Sequence, residues 1–204
     1  MKEIITSDLQ AYHKEKLASF CKQNPRLEKG GIVFIGDSII EFFPLKKYLG
    51  RDIPLINRGI AGTDSDWLLA NLKDQLLFLE PSKIVILIGT NDIGMGKDLT
   101  TIYKNIVSII SKIRSELFTT KIYLISVLPV NESLEFKGRV KMRTNKLIHC
   151  LNQNLCHIPN ISFLNLYQDF LDSDGNLDKI FTTDGLHLSA KGYEKFAQEL
   201  KYHL

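Results

Sequence analysis

The chain has 204 residues, 44% of them hydrophobic and 24% charged, which is the size and composition of one globular domain with a sizeable core. Its net charge of +3 is small and its basic residues are scattered, so we predict no nucleic-acid partner. No apolar run is long enough to span a bilayer, and no apolar leader follows Met1. Three cysteines without metal or redox spacing predict reduced thiols and a cytoplasmic location.

Short apolar runs alternate with stretches of helical period along the chain. A helix over residues 7–22, with Ser7 as its cap, precedes a core over residues 30–204. Continuously apolar runs are typical of parallel strands covered on both faces, and they occupy residues 31–35, 55–56, 84–88, 122–127 and 161–164. Leucines and isoleucines at spacings of three and four predict helices over residues 65–79, 99–117, 139–155 and 190–204. The chain is therefore predicted to form one three-layer α/β/α domain over residues 1–204.

Polar residues follow four of the predicted strands at the point where each strand ends. They lie at residues 36–38, 57–62, 89–92 and 129–131. Open parallel sheets bind ligands outside the carboxyl ends of their strands, so we expect these four segments to meet at one edge of the sheet.

Ser38 is the candidate nucleophile, at the turn from the first strand into a helix. A serine hydroxyl needs an adjacent base, and His187 is the candidate base, with Asp184 as the carboxylate that orients its ring. Each residue also has a plainer interpretation, because serine caps helices, aspartate caps turns and histidine occurs on surfaces. Those interpretations stay open at this point.

Gly62 and Asn91 are the candidate oxyanion donors, together with the backbone N–H of Ser38. Glycine lets a substrate oxygen approach its N–H, and asparagine supplies a neutral side-chain donor. Turn chemistry or a helix cap would explain both residues equally well. Asp37 and Asp92 are interpreted as structural carboxylates that accept N–H groups of their own loops, with a metal site or a glycosidase pair as the alternative.

Taken in chain order, these blocks resemble the SGNH-hydrolase superfamily, the GDSL esterases and lipases. Four residues match the letters of the superfamily name: Ser38, Gly62, Asn91 and His187. Ile39 stands where the first family block has leucine. The resemblance covers about residues 30–200 and implies a flavodoxin-like sheet of five parallel strands. It also implies ester hydrolysis through an acyl-enzyme on Ser38, with no metal and no organic cofactor.

Within the superfamily, residues 57–62 are most similar to the branch of platelet-activating-factor acetylhydrolase subunits and bacterial carbohydrate acetylesterases. This similarity implies that the partner is a small ester substrate whose acyl group is acetyl. Whether the protein forms a homodimer stays open. Residues 63–67 and 129–137 are expected to line the pocket.

Other classes of protein fit the sequence less well. The α/β-hydrolase elbow needs glycine two residues after its nucleophile, where this chain has Ile40. Residues 94–97 resemble a phosphate loop, but Asp98 replaces the required serine or threonine. Residues 172–176 resemble the start of a calcium loop that lacks its closing glutamate. The remaining alternative is a flavodoxin-like binding module that keeps the fold without the reaction.

Overall fold

A sheet of five parallel strands forms the centre of the protein in the computed structural model, which describes residues 2–204. The strands are β1 Ile32–Gly36, β2 Leu55–Gly59, β3 Lys83–Leu87, β4 Lys121–Ile125 and β5 Ser162–Leu164. Their order in the sheet is β2-β1-β3-β4-β5, with all neighbouring pairs parallel. This is the order of flavodoxin-like doubly wound sheets, so the predicted fold class is confirmed.

Nine α-helices connect or flank these strands within residues 2–204. They are α1 Ser7–Gln23, α2 Ser38–Glu41, α3 Leu45–Tyr48, α4 Ser65–Gln75, α5 Thr90–Gly94, α6 Leu99–Glu116, α7 Lys137–Val140, α8 Asn145–Leu155 and α9 Ala190–Lys201. The Thr6 side chain, rather than Ser7, caps α1 by accepting the N–H of Leu9 at 3.2 Å. Side-chain caps on α4, α6, α8 and α9 likewise satisfy backbone N–H groups that a helix leaves unpaired at its start.

Apolar side chains cover both faces of the sheet, as the continuously apolar strands require. Val33 and Ile35 of β1 pack on one face with α4, α6 and α8, while Phe34 packs on the other face with α2, α3 and α9. All three side chains are fully buried, and each burial contributes ~1.5–3 kcal/mol. The two apolar layers hold the sheet rigidly and so determine where its carboxyl edge lies.

The helix predicted over residues 139–155 is wrong, because the structure breaks it in two. After α7, Lys141 adopts a φ of 57°, which ends the helix, and Thr144 caps α8 by accepting the N–H of Leu147. Between the two helices the Arg143 side chain turns inward and is buried. The apolar spacing over this stretch is compatible with one helix, but the positive φ of Lys141 and the Thr144 cap separate two helices on either side of the buried Arg143.

Among residues 2–204, no helix combines the length and the apolar character needed to cross a bilayer.

Candidate active site

Ser38 lies where β1 ends and α2 begins, next to the point at which the strand order reverses between β1 and β3. The side chain of Asp37 caps α2 by accepting the N–H of Ile39 at 2.9 Å. Ser38 is therefore the first helical residue, and its backbone N–H has no acceptor inside the helix. The sheet topology thus places a serine hydroxyl and an unpaired N–H together at the ligand-binding edge.

Ser38, His187 and Asp184 form one continuous line of hydrogen bonds. The Ser38 Oγ lies 2.9 Å from His187 Nε2, although 149 positions separate the two residues. On the other side of the ring, His187 Nδ1 lies 2.8 Å from Asp184 Oδ2. A carboxylate only accepts, so Nδ1 carries the ring proton and the lone pair of Nε2 faces the serine hydroxyl. This arrangement can remove a proton from Ser38.

The loop that carries Asp184 and His187 is held by its own hydrogen bonds. Asp184 Oδ1 accepts the backbone N–H groups of Leu186 and His187, at 3.1 and 2.8 Å. The Thr182 hydroxyl donates to the His187 carbonyl and accepts the N–H of Gly185. Burial raises the pKa of the Asp184 carboxyl, but the hydrogen bonds from the His187 backbone and ring outweigh burial and leave that pKa below its ordinary value. Asp184 is therefore ionised in neutral solution and can hold the imidazole in one orientation.

Gly62 and Asn91 face the same space as Ser38. The Gly62 backbone has a φ of +79°, which L side chains rarely adopt, and a Cβ built there would lie 2.9 Å from a methyl group of Leu9, so glycine is favoured here. Within residues 2–204 no acceptor takes the Gly62 N–H. The Asn91 side chain uses one Nδ2 hydrogen on the Thr63 carbonyl, at 2.9 Å, which leaves its second hydrogen free. Three N–H donors, from Ser38, Gly62 and Asn91, are thus available at one place.

Asp37 and Asp92 are buried and lie next to Ser38 and Asn91 in the chain, but neither lines the cavity into which those two residues face. Asp92 accepts the backbone N–H and the hydroxyl of Ser65, and it also pairs with Lys97 at 3.1 Å. The expectation that Asp92 serves its own loop is therefore wrong, since it ties the start of α4 to α5. Among residues 2–204, no three histidine, cysteine, aspartate or glutamate side chains are grouped so that they could hold a metal ion.

The Asp37 carboxyl is predicted to make the free energy of unfolding depend on pH. Burial raises its pKa to about 7, and Oδ2 has no hydrogen-bond partner within residues 2–204. The folded state therefore binds more protons at this site than the unfolded state between about pH 4 and pH 7, and stability falls as pH rises through that window. Asp37→Asn keeps an acceptor for the Ile39 N–H but cannot ionise. We expect the variant to gain stability relative to wild type from pH 4 to pH 8, by ~1.36 kcal/mol per unit of pKa shift.

Urea unfolding of both proteins across this pH range measures that difference. Asp98→Asn is the control of opposite sign, because hydrogen bonds from the side chain and backbone of Thr101 lower the pKa of the Asp98 carboxyl. That variant should lose stability relative to wild type as pH rises. A gap between wild type and Asp37→Asn that stays constant with pH would contradict the prediction.

A cavity of about 360 Å³ opens over the serine, the histidine and the three N–H donors. Its walls come from Leu9, Phe42, Leu186 and Arg139, with Glu3 at its rim. Residues 63–67 and 129–137 do not line it, so that prediction is wrong. Asn131 instead is buried and donates to the Leu177 carbonyl, so its loop is drawn away from the cavity. Two depressions of about 460 Å³ lie at the amino edge of the sheet and contain no histidine.

Sequence patterns do not single out the wall residues. Leu9 belongs to the apolar side of α1, Phe42 and Leu186 read as ordinary core residues, and Arg139 reads as part of a helix surface. Arg139 lines the cavity because α7 ends near Asp184, where the arginine Nε lies 2.8 Å from Oδ2. Only the position of Leu186 between Asp184 and His187 could have indicated a place near the site.

A parallel sheet covered by helices, with a serine, a histidine and a carboxylate in line at its carboxyl edge, is an arrangement typical of serine hydrolases. The chain belongs to the GDSL-like Lipase/Acylhydrolase family, which matches residues 34–195. Family membership makes it a carboxylic-ester hydrolase of the acylhydrolase type, and it confirms the resemblance drawn from the sequence blocks.

Two individual relatives match most of this chain, and one of them is named as an acetylhydrolase. The chain is 25% identical to the alpha2 subunit of platelet-activating factor acetylhydrolase IB from Gallus gallus, over 91% of this chain and 79% of that protein. It is 33% identical to the N-acylneuraminate cytidylyltransferase of Escherichia coli O18:K1:H7 over 88% of this chain, but it spans only 41% of the length of that relative.

Solved structures show the same fold. A protein from Streptococcus pneumonia that is named for platelet activating factor superposes with a TM-score of 0.92 at 34% identity, covering 96% of this chain and 94% of that chain. An acylhydrolase from Bacteroides fragilis superposes with a TM-score of 0.77 at 27% identity, covering 91% of this chain and 94% of that chain.

Proposed function

We propose that the protein hydrolyses small carboxylic esters, acetyl esters above all, through an acyl-enzyme on Ser38. One observation carries the proposal: a serine hydroxyl lies 2.9 Å from a histidine nitrogen whose other nitrogen lies 2.8 Å from a carboxylate, beside a cavity. In this proposal Ser38 is the nucleophile, His187 is the general base and Asp184 orients the base.

The first half of the reaction transfers the acyl group to the protein. His187 Nε2 accepts the proton of Ser38 as Oγ forms a bond to the ester carbonyl carbon, and the carbonyl oxygen becomes an oxyanion. The N–H groups of Ser38, Gly62 and the Asn91 amide donate to that oxygen, where such donors matter more than in water because the site is partly dry. The tetrahedral intermediate then expels the alcohol, and His187 gives its proton to the departing oxygen.

The second half releases the acid. Water enters the place of the alcohol, His187 accepts one of its protons, and the resulting hydroxide attacks the acyl carbon. Collapse of this second intermediate breaks the bond to Ser38 Oγ, and the serine regains its proton from His187. The proton that leaves Ser38 departs with the alcohol, and the proton taken from water replaces it on Ser38. His187 therefore ends the cycle neutral, and these residues complete the turnover without a further proton donor.

A small acyl group is supported by the size and lining of the cavity. A volume of about 360 Å³ is at the small end for ligand pockets, and acyl and alcohol parts must share it. Leu9, Phe42 and Leu186 give it apolar walls, which favour a methyl group over a charged one. The names of the acetylhydrolase relatives agree with an acetyl group. The cytoplasmic location and the homodimer stay predictions.

The acyl preference is tested by the hydrolysis of p-nitrophenyl esters from acetate to octanoate. We expect kcat/KM to be highest for acetate and to fall as the chain lengthens, because longer chains outgrow the cavity. Rapid mixing should give a burst of p-nitrophenol, and acid quenching should trap one acetyl group on the peptide that contains Ser38. A preference for octanoate would contradict the small-acyl proposal. A quenched protein without an acylated serine during a burst would contradict the acyl-enzyme.

The alcohol part is tested separately with acetylated alcohols that differ in charge and size. The panel should include acetylated neutral sugars and an O-acetylated N-acylneuraminate, since one relative is named for that sugar acid. Release of acetate from one of them at a rate well above p-nitrophenyl acetate would identify the class of alcohol.

A further inference from the structure

The side-chain amide of Asn91 can take only one orientation in its surroundings. Its Oδ1 lies 2.8 Å from Nη2 of Arg143, which can only donate, and its Nδ2 lies 2.9 Å from the Thr63 carbonyl, which can only accept. Exchanging oxygen and nitrogen would lose both hydrogen bonds. The network therefore determines that a nitrogen, with one free hydrogen, stands beside Ser38 in the cavity.

Arg143 is itself held on every side. Its side chain has no exposed surface, Nε donates to the Thr90 carbonyl at 2.9 Å, and Nη1 lies 3.4 Å from the Val140 carbonyl. The guanidinium packs against Gly94 so closely that a Cβ there would lie 2.4 Å from its Cζ. A planar fork held in this way presents its Nη2 to Asn91 in a fixed direction.

The charge of Arg143 is balanced by Glu3, from the segment that precedes α1. The Glu3 carboxylate accepts from Nη2 of Arg143, and the Glu3 backbone N–H donates to the Gly94 carbonyl at 2.8 Å. Burial raises the pKa of the Glu3 carboxyl, but Arg143 and Lys141 outweigh burial and hold that pKa below its ordinary value. A buried cation without a partner is strongly unfavourable, so Glu3 lets Arg143 remain charged inside the protein.

We propose that Arg143, with Glu3 as its counter-ion, is a positioning residue that holds the Asn91 amide with its free N–H directed at the ester oxygen. The inference rests on the proposed function, in which Asn91 donates to the oxyanion. Glu3 lies outside the family match, which begins at residue 34, so the first residues of the chain complete the orientation of a group in the site.

The test is a double-mutant cycle on kcat with p-nitrophenyl acetate. Asn91→Ala should lower kcat by about 100- to 1,000-fold, as removal of an oxyanion donor does. Arg143→Gln should lower kcat by about 10- to 100-fold, with little change in KM, because the amide is misplaced rather than absent. In the Asn91→Ala background the Arg143 substitution should cost no more than roughly twofold, since it has nothing left to position.

Glu3→Gln gives a second, milder arm that preserves the fold if Arg143→Gln does not fold. It keeps an oxygen for Arg143 but removes the charge, and its loss of kcat should also vanish in the Asn91→Ala background. Lys195→Gln is the matched control, because Lys195 pairs with Glu199 at 3.4 Å on α9 and makes no contact with Glu3, Arg143 or Asn91. Its kcat should equal that of wild type. Circular dichroism and thermal unfolding of each variant report on the fold separately.

The outcomes separate this inference from the proposed function. Losses from the Arg143 or Glu3 substitutions that multiply with the loss from Asn91→Ala would overturn the inference and leave the esterase proposal intact. An Asn91→Ala protein with wild-type kcat would overturn both the oxyanion role and the inference. A spectroscopic readout is independent of turnover: the two Asn91 side-chain amide protons should be sharp in wild type, and they should broaden in Arg143→Gln as the amide begins to rotate.

Discussion

Replacing Ser38 by alanine is expected to lower kcat for p-nitrophenyl acetate by about 1,000- to 1,000,000-fold, because the variant lacks the oxygen that forms the acyl-enzyme. Any remaining rate comes from binding and from the oxyanion donors. The variant should keep its fold, since the Ser38 side chain contributes one hydrogen bond, to His187 at 2.9 Å. Steady-state release of p-nitrophenol measures the loss.

Ser115→Ala is the matched control for Ser38→Ala. Ser115 is exposed near the end of α6, where its hydroxyl donates to the Lys112 carbonyl, so its removal should leave kcat unchanged. Equal rates for wild type and Ser38→Ala would remove Ser38 from the mechanism. Absence of hydrolysis in wild type, for every ester of the panel, would favour the binding module that keeps the fold without the reaction.

Asp184→Asn is expected to lower kcat by about 10,000-fold, the loss that replacing the triad aspartate by asparagine causes in a serine protease. The asparagine oxygen can still accept the N–H groups of Leu186 and His187, so its nitrogen would face His187 Nδ1. A donor there forces the ring proton onto Nε2, which then faces Ser38 and can no longer accept the serine proton. The loss should appear in kcat, with KM little changed.

Arg139→Gln separates this effect from a general loss of charge near the loop. Arg139 shares Asp184 Oδ2 at 2.8 Å, but its side chain is 56% exposed and does not touch the imidazole nitrogen that faces Ser38. Solvent screens an exposed pair of this kind, so we expect a much smaller loss of kcat. If Arg139→Gln and Asp184→Asn lowered kcat equally, the ion pair rather than the ring orientation would be the important contact.

The secondary structure of the sheet layer was largely predictable from the sequence. The runs at residues 31–35, 84–88 and 122–127 predict strands because both faces of β1, β3 and β4 are covered, and continuous burial leaves a continuously apolar sequence. The ends of these strands could also be predicted, since Gly36 and Gly89 interrupt the apolar runs. The family resemblance implied a flavodoxin-like sheet of five parallel strands, whereas no local pattern gives the order of the strands, which the structure shows.

The break between α7 and α8 was not predictable, for a specific physical reason. Apolar residues recur with helical spacing through residues 139–155, and the sequence contains no proline there to interrupt it. At the break Lys141 has a φ of 57°, and Arg143 turns inward toward Thr90, Asn91 and Glu3. Those three acceptors lie more than 50 positions away along the chain, so no local window contains them.

The sequence by itself determined which reactive residue types are present, and it placed Ser38, Gly62 and Asn91 after strands and Asp184 and His187 on the loop before the last helix. Local hydrogen bonds and backbone preferences suffice for that, because a turn after a parallel strand has its own residue signature. Only the tertiary structure decided that the imidazole of His187 meets the hydroxyl of Ser38 and that Leu9 walls the cavity. It also decided that Arg143 and Glu3 orient the amide of Asn91. These contacts depend on how two apolar layers pack against one sheet. Packing brings together residues that lie far apart along the chain, so a local stretch of sequence does not reveal them.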